Sequence, residues 1–559
     1  MATLAPAYRP RRPTETVLYA VVRDHLETFL AHARETYEAP LPRYVERELR
    51  GYLRCGVFAH GFVRAHCDTC GHDLLVAFSC KARAVCPSCA GRRMANVAAH
   101  LVDRVLPAVP VRQWVLSLPF ELRALAAFRA DVLSALGRLF IEAVSTRYRG
   151  WAKRQGCGAA PTGAVTHVQR FGSSVNLNVH FHSMVLDGVF TRDEQGHARF
   201  HPAPAPTRQE LSEVVRRVHR RALAWLARSK LLDTSRGEHA SQEPGAQTSL
   251  DACAVIAMQR GAVRALRDAP DAAHEGGGGG ETPPRDEGAV EIDGFNLHAS
   301  VAIAGDDDLG RERLMRYGAR PPLALDRLRR LPDGRIAYRI KKLRDGRAKH
   351  RVMTPLEFLA RLAAIVPPPR YPLLRYAGVL GPRSSWRRDV VPRAPQSRGC
   401  DPKPEEKGHR TPPPKAVSRA EPSPTNTMDA GATTSATKPT QSDVRVPLRS
   451  GDTGVDTRAA GAWQRLTPNV LSVKHWDRLL GGTLYAASPR VDWASLLGRS
   501  FQVDVLACPS CNGRLRVLGE VTDPTMVRLV LDSLGMPTDA PHAARARDPT
   551  QLLGEHVDA

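Results

Sequence analysis

With 559 residues and a 42% hydrophobic fraction, the chain is long enough for roughly two to four domains with ordinary cores. Its 80 lysines and arginines against 57 acidic residues leave a formal charge of +23, which favours a polyanionic partner, nucleic acid foremost. No run approaches the ~18 consecutive apolar residues of a membrane span, and the basic opening MATLAPAYRPRRPTETVLYA has no apolar h-region, so a cytoplasmic protein is expected.

Residues 1–53 read as a helical lead-in: Leu18, Val21, Val22, His25, Leu26, Phe29 and Leu30 recur at helical spacing, and a second run, 44–53, follows Pro40 and Pro42. From Cys55 the character changes. Cys55, His60, Cys67, Cys70, Cys80, Cys86 and Cys89 crowd one short segment, a pattern that points to metal rather than disulfides. The pairs Cys67-x2-Cys70 and Cys86-x2-Cys89 stand fifteen residues apart, the spacing of a zinc ribbon in which each turn supplies two sulfurs to one tetrahedron. The expectation is one structural Zn²⁺ in a DNA-binding module over residues 54–106. Cys55, His60, His72 and Cys80 are either a second site or core cysteines and solvated histidines. Arg92 and Arg93, just after the last knuckle, suit phosphate contacts or a solvated basic turn.

An α+β core follows. Residues 112–120 alternate as a strand, and 126–154 form a long amphipathic helix carrying Leu133, Leu136, Leu139, Phe140 and Val144. A second strand spans 164–171, and Gly172 turns the chain into a third, 176–190, NLNVHFHSMVLDGVF. Alternation sends Asn176, Asn178, His180 and His182 to one side and Val175, Leu177, Val179 and Phe181 to the other. Imidazoles about 7 Å apart on one face can offer nitrogens to a single divalent ion; taken alone, they are as readily two histidines on a half-exposed strand.

A helix over 207–232 leads to a flexible insertion, 233–290, which contains EGGGGGETPPRDEG. Then come a strand over 294–304 and a helix over 309–319 that carries Tyr317 and is stopped by Arg320-Pro321-Pro322. A basic hairpin with turns at Asp333-Gly334 and Asp345-Gly346 carries Arg339, Lys341, Lys342, Arg344, Arg347, Lys349 and Arg351, a strand-tracking surface or a solvated face. Residues 356–366 read as a helix, and 370–379 fit no element. Residues 392–460, rich in Pro, Ser, Thr, Lys and Gly, cannot bury enough to fold and read as a disordered linker. A small C-terminal domain, 461–545, surrounds Cys508-Pro-Ser-Cys511, half a zinc site completed by His475, Cys400 or another chain, or else a bare turn.

In this order the knuckles, the His-hydrophobe-His strand and the late tyrosine resemble the rolling-circle transposases of the insertion sequence 91 type, in the HUH nuclease superfamily. The resemblance rests on GFVRAHCDTCGHDLLVAFSCKARAVCPSCAGRRM, QRFGSSVNLNVHFHSMVLDGVF, RLMRYGARPPLALDRL and PLEFLARLAAIVPPPRYPLLRYAGVL, across roughly residues 14–390. The tail VDVLACPSCNGRLRVLGEVTDP is similar to that of the longer, common-region branch. The resemblance implies an HUH-type antiparallel sheet with flanking helices over 107–391. It further implies that His180 and His182 hold Mg²⁺ or Mn²⁺, with Gln169, or else His167, as third ligand. Tyr317 would attack mainly single-stranded DNA at element ends, leaving a 5′-phosphotyrosine. A tight turn at Gly172 would pair Gln169 nearer Asn176 than His180, so this ligand set needs a wider or bulged loop; Asp187 and His298 lie on neighbouring elements. The parent branch has a second tyrosine where this chain has Arg313, so Tyr317 acts twice or two subunits of a homodimer contribute one each. Replication initiators and relaxases use the same chemistry, and a non-catalytic zinc-dependent DNA-binding protein is a third reading. The cysteine module ahead of the core and the RYGARPP segment favour the transposase.

Overall fold

The computed structural model of the chain describes residues 11–158, 160–231, 248–259, 263–266, 288–342, 348–392, 493–501 and 503–548. The expected linker from residue 393 on, the glycine run, Arg344, Arg347, Cys400 and His475 lie outside the described residues.

Two helices open the fold, α1 (Val17–Thr36), capped by the Thr16 side chain, and α2 (Arg43–Arg54). After β1 (Phe62–Cys67) and β2 (Asp73–Ala77) comes α3 (Pro87–Arg104), which starts directly behind Cys86 with proline at its first position. Next are β3 (Val111–Ser117), α4 (Phe120–Phe128), α5 (Ala130–Arg154), β4 (Gly163–Phe171), β5 (Leu177–Leu186), β6 (Gly188–Arg192) and β7 (Ala198–Pro202). A capping box of Thr207 and Glu210 starts α6 (Arg208–Arg228). The chain continues through α7 (Ser249–Met258), β8 (Val263–Leu266), β9 (Val290–Ile292), β10 (Phe295–His298), β11 (Ala302–Ile303) and α8 (Asp308–Gly318). It then forms β12 (Leu328–Arg330), β13 (Ile336–Lys342), β14 (Ala348–Met353), α9 (Pro355–Ile365), β15 (Leu374–Gly378) and α10 (Arg387–Val390). Last come α11 (Trp493–Phe501), β16 (Leu515–Val521) and α12 (Pro524–Ser533). No described helix is long and apolar enough to cross a membrane.

The α+β expectation holds. An antiparallel sheet in the order β15-β4-β5-β3-β10-β9, with β11 also on β3, forms the middle layer. Both its faces are covered, which is why β4 is buried at every residue. On one face Val168, Val179 and Phe181 pack with Val132, Leu133, Leu136 and Phe140 of α5 and with α9. Gly137 permits the close approach, since a Cβ there would lie 3.1 Å from the Phe181 ring. On the other face Val165, Met184 and Leu186 meet Leu101 and Val102 of α3, Val105 just beyond its end, and Leu314 and Met315 of α8. The cysteine-bearing helix and the tyrosine-bearing helix therefore share one side of the sheet.

The loop between β4 and β5 decides the register. Gly172 N donates to Asn176 O across a wide turn in which Val175 holds φ 55°, a strained value for a β-branched residue. The ladder shifts between Gln169 and Phe171, which pair with His180 and Leu177, so the extra residue lies in β5, where Asn178 and Val179 both stand against the single residue Arg170. Its buried guanidinium donates to Ala364 O (3.0 Å) and Ile365 O (3.2 Å) at the end of α9, and to Ala127 O near the end of α4. A cation at two helix C-termini satisfies orphan carbonyls and the local dipoles. The strand facing the bulge is thus tied down by the Arg170 side chain, and the bulge places Gln169 opposite His180.

Four expectations change. The helix expected at 126–154 breaks at Arg129 into α4 and α5. The insertion 233–290 contains α7, whose Cys253, Ala254 and Ala257 join the main core, and β8, which completes a β12-β13-β14-β8 sheet. The unassigned stretch 370–379 supplies the edge strand β15. The described part of the tail is not a separate domain, because β16 pairs with β1 in a β16-β1-β2 sheet.

Asp187 belongs to the framework rather than to a metal site. Its carboxylate accepts from Arg112 Nη2 (2.7 Å) and from the Tyr148 hydroxyl (2.8 Å), with both ion-pair partners over nine-tenths buried. Asp187→Ala would strand the Arg112 charge, and we expect a loss of about 3–5 kcal/mol in urea-unfolding free energy. A loss below about 1 kcal/mol would contradict this assignment.

Candidate active site and cysteine clusters

Antiparallel pairing sets two adjacent rows of side chains on the face that α8 covers. One row contains His167 of β4, His182 of β5, Val115 of β3 and His298 of β10; the next contains Gln169, His180, Ser117 and Asn296. The His180 and His182 rings are 4.9 Å apart between centroids. His180 Nδ1 lies 3.0 Å from Asn178 O, and a carbonyl only accepts, so Nδ1 carries the proton and Nε2 the lone pair. His182 Nδ1 lies 3.0 Å from Gln113 Nε2 and accepts from it as placed. Flipping the Gln113 amide would bring its oxygen to Nδ1, give His182 the same tautomer and leave Nε2 free to ligate.

Burial holds these rings neutral. Desolvation lowers His167 to about 4 and His180 to about 4, and pushes His182 well below the usual imidazole value, with His180 and Arg320 acting in the same direction on His182. Neutral imidazole is the form that binds metal. Buried His182 Nε2, His167 Nε2 and Asn178 Oδ1 have no hydrogen-bond partner in the protein. Such orphaned polar atoms are costly unless something else satisfies them. The donor set fits a divalent cation, with imidazole nitrogens suiting Mn²⁺ better than Mg²⁺.

Tyr317 stands over this patch. Asp307 caps α8, and Gly318 ends it against the sheet, where a Cβ would fall 2.7 Å from Met184 Cε and 2.8 Å from His167 Cδ2. The Tyr317 ring packs edge-on to His182, with centroids 5.3 Å apart and planes at 84°, yet 45% of the residue is exposed. Buried Gln169 anchors the helix end by donating to Tyr317 O (3.0 Å) and Gly318 O (2.9 Å), while its oxygen accepts from Arg320 Nε (3.4 Å). The Arg320 guanidinium lies 5.0 Å from the centroid of the Tyr317 ring. His180, His182, Gln169, His167 and Tyr317 are thus brought together. Gln113 and Arg320 are additions: strand alternation gives Gln113 a face, but only the register places it beside His182. Arg320 reads in sequence as a helix stop.

The cysteines pair differently from the single ribbon site expected of Cys67, Cys70, Cys86 and Cys89. Cys86 and Cys89 cluster with Cys55 and Cys80, whereas Cys67 and Cys70 cluster with Cys508 and Cys511. Cys55 caps the end of α2 and Cys80 lies in the loop after β2, and these two rather than Cys67 and Cys70 stand beside Cys86 and Cys89. In this first cluster Sγ distances are 3.6 Å for Cys55–Cys86 and Cys55–Cys89 and 3.5 Å for Cys80–Cys89. A tetrahedron with Zn–S near 2.3 Å has edges of about 3.8 Å, so four thiolates around zinc fit here. Arg11 donates to Cys55 Sγ (3.2 Å), a cation that offsets thiolate charge.

Of the expected DNA contacts, Arg93 is engaged internally, bracing the Cys80 loop through Lys81 O (3.1 Å), Ala82 O (3.1 Å) and Arg83 O (3.3 Å). Arg92 is exposed beside it. Arg339 is half-buried and faces Asp326 at 3.4 Å. Lys341 and Lys342 close β13, and their side chains lie outside the described residues.

Neither a curated relative nor a solved structure matches the chain. Two family models do: a transposase zinc-binding domain over residues 21–118 and a putative transposase domain over residues 163–387. The first spans Cys55, Cys80, Cys86 and Cys89, and the second spans both histidines and Tyr317. With both models in sequence order over more than half its length, the chain belongs to the IS91 family of transposases, DNA-binding and DNA-processing enzymes with a zinc-binding domain.

Proposed function

We propose that this transposase is a single-tyrosine member of the HUH type, which nicks and rejoins single-stranded DNA at element ends through Tyr317. The packing of the Tyr317 ring at 5.3 Å on His182 carries this reading, because it puts an accessible phenol beside the His180 and His182 imidazoles. The phenolic oxygen bonds to phosphorus as the P–O3′ bond breaks. The phenol loses its proton, the leaving 3′-oxygen gains one, and the 5′-phosphate stays on the enzyme. Phenols as a class are more acidic than alkyl alcohols, so a phenolate leaves more readily and the step reverses to rejoin DNA without a nucleotide cofactor.

His180 and His182, with the Gln169 oxygen or His167 Nε2 as third donor, would hold the Mg²⁺ or Mn²⁺. When bound, that ion supplies Lewis-acid polarisation of the non-bridging phosphate oxygens. Arg320 offsets the charge that develops on those oxygens. Gln169 acts also through position, because its amide fixes the last turn of α8. Arg313, exposed on α8, occupies the place of the second tyrosine, so strand exchange uses Tyr317 twice or draws on a second subunit. Arg92, Arg339, Lys341 and Lys342 remain candidates for tracking the strand.

A nicking assay with labelled single-stranded oligonucleotide tests the metal site. His180→Ala and His182→Ala should each lower the Mn²⁺-dependent rate by at least the 10–100-fold that even supporting residues contribute to metal affinity. Full activity of both variants would remove the site from the mechanism.

A further inference from the structure

Cys67 and Cys70 on one side and Cys508 and Cys511 on the other bring their four sulfurs within 4.8 Å of one another. Cys67–Cys511 is 3.5 Å and Cys70–Cys508 is 3.6 Å. These separations are far beyond a disulfide bond of about 2.05 Å and close to the ~3.8 Å edge of a zinc tetrathiolate.

The two turns repeat each other bond for bond. Cys67 N donates to His72 O (2.9 Å) and Gly71 N to Cys67 O (2.9 Å); Cys508 N donates to Gly513 O (2.7 Å) and Asn512 N to Cys508 O (2.9 Å). The residue behind each second cysteine is left-handed, Gly71 at φ 74° and Asn512 at φ 58°. Ser510 Oγ meets His72 Nδ1 at 3.2 Å across the gap, and Cys67 stands opposite Leu515 in the β1–β16 ladder. Gly513 must stay small, since a Cβ there would lie 3.2 Å from Cys511 Sγ and 3.4 Å from Cys67 Sγ. Two matched knuckles thus face each other with their four sulfurs within reach of one tetrahedral centre.

We infer that these four cysteines bind a second structural zinc ion, which clasps the C-terminal segment onto the N-terminal module. The clasp also positions α11. Arg499 pairs with Glu312 of α8 (2.6 Å) and with Asp103 of α3, and Arg316 of α8 donates to Ser500 (3.2 Å). A metal bond near the chain's end therefore steadies the helix that carries Tyr317, a consequence that rests on the reading of Tyr317 given above. The zinc itself does not.

The test is metal content of the full-length protein, measured by mass spectrometry and by release to a chromogenic chelator. The unmodified chain should hold two zinc ions. Cys508→Ser with Cys511→Ser, and separately Cys67→Ser with Cys70→Ser, should each hold one. Co²⁺-substituted protein provides a second readout, with thiolate-to-cobalt absorbance falling by about half in either pair of variants as one of two tetrathiolate sites is lost. The retained half shows that the first cluster is intact, so general misfolding is excluded. Limited proteolysis should cut after residue 501 faster in the Cys508 and Cys511 variant. One zinc ion in the unmodified chain, or two in the double variants, overturns the inference. So does a thiol count showing Cys508 or Cys511 oxidised to a disulfide in active protein.

Discussion

Tyr317→Phe is expected to abolish the covalent protein–DNA adduct and to lower nicking of single-stranded DNA by on the order of 10⁴-fold or more, the scale seen when a nucleophile is deleted. The substitution removes one hydroxyl and keeps the ring, so the edge-on packing on His182 and the Arg320 contact survive. Gln169 holds the backbone carbonyls of residues 317 and 318, not the phenol, so the end of α8 also stays in place. Binding of single-stranded DNA should therefore change by no more than about twofold, or ~0.4 kcal/mol. Electrophoretic detection of the adduct beside a binding titration checks both halves. Retained adduct would mean that another nucleophile acts.

The second large effect concerns the first cysteine cluster. Cys55, Cys86 and Cys89 are buried within the same apolar core as α1, α2 and the main sheet. Thiolates at such a position are tolerable only with a metal to neutralise them. Apparent zinc-binding energies of about 10–16 kcal/mol in small zinc modules show how much folding such an ion can supply. Cys86→Ser with Cys89→Ser should thus lose that zinc and lower the thermal midpoint by about 10 °C or more, taking ~5 kcal/mol at 2–4 °C per kcal/mol for a domain of this size. Scanning calorimetry with zinc analysis measures it. An unchanged midpoint in a zinc-free variant would show the cluster to be dispensable for the fold.

How far the sequence reaches depends on whether a feature is local. Strand alternation over 176–190 shows that His180 and His182 share a face, and the CxxC spacing shows that metal is involved, because both are set by a few neighbouring residues. Register is not local in this sense. Gln169 comes opposite His180 only through a bulge in β5, and Arg170, the residue facing that bulge, is held by carbonyls of α4 and α9 that are 43 and 194 residues away in the chain. The sharing of cysteines between knuckles is harder still. Three CxxC half-sites and single thiols can be combined in several ways, and the spacing that suggests joining Cys67 and Cys70 to Cys86 and Cys89 says nothing about a strand arriving from residue 515. The edge strand β15 escapes because its residues are half-buried and show no clean alternation. The apolar helix α7 is hidden by the low-complexity stretch beside it.

Arg93 illustrates a different limit. A pair of arginines behind a zinc knuckle suggests phosphate contacts, yet Arg93 spends its donors on three carbonyls of the loop that carries Cys80. Charge type is visible in a sequence, whereas the competition between an internal acceptor and a ligand is visible only in the fold.

The most direct measurement is peptide mass spectrometry of the covalent complex formed with a single-stranded element-end oligonucleotide in Mn²⁺. The account predicts a nucleotide 5′-phosphate attached to the peptide that contains Tyr317 and to no other. Attachment to a different residue, or no covalent complex from protein that binds the DNA and retains its zinc, would contradict it.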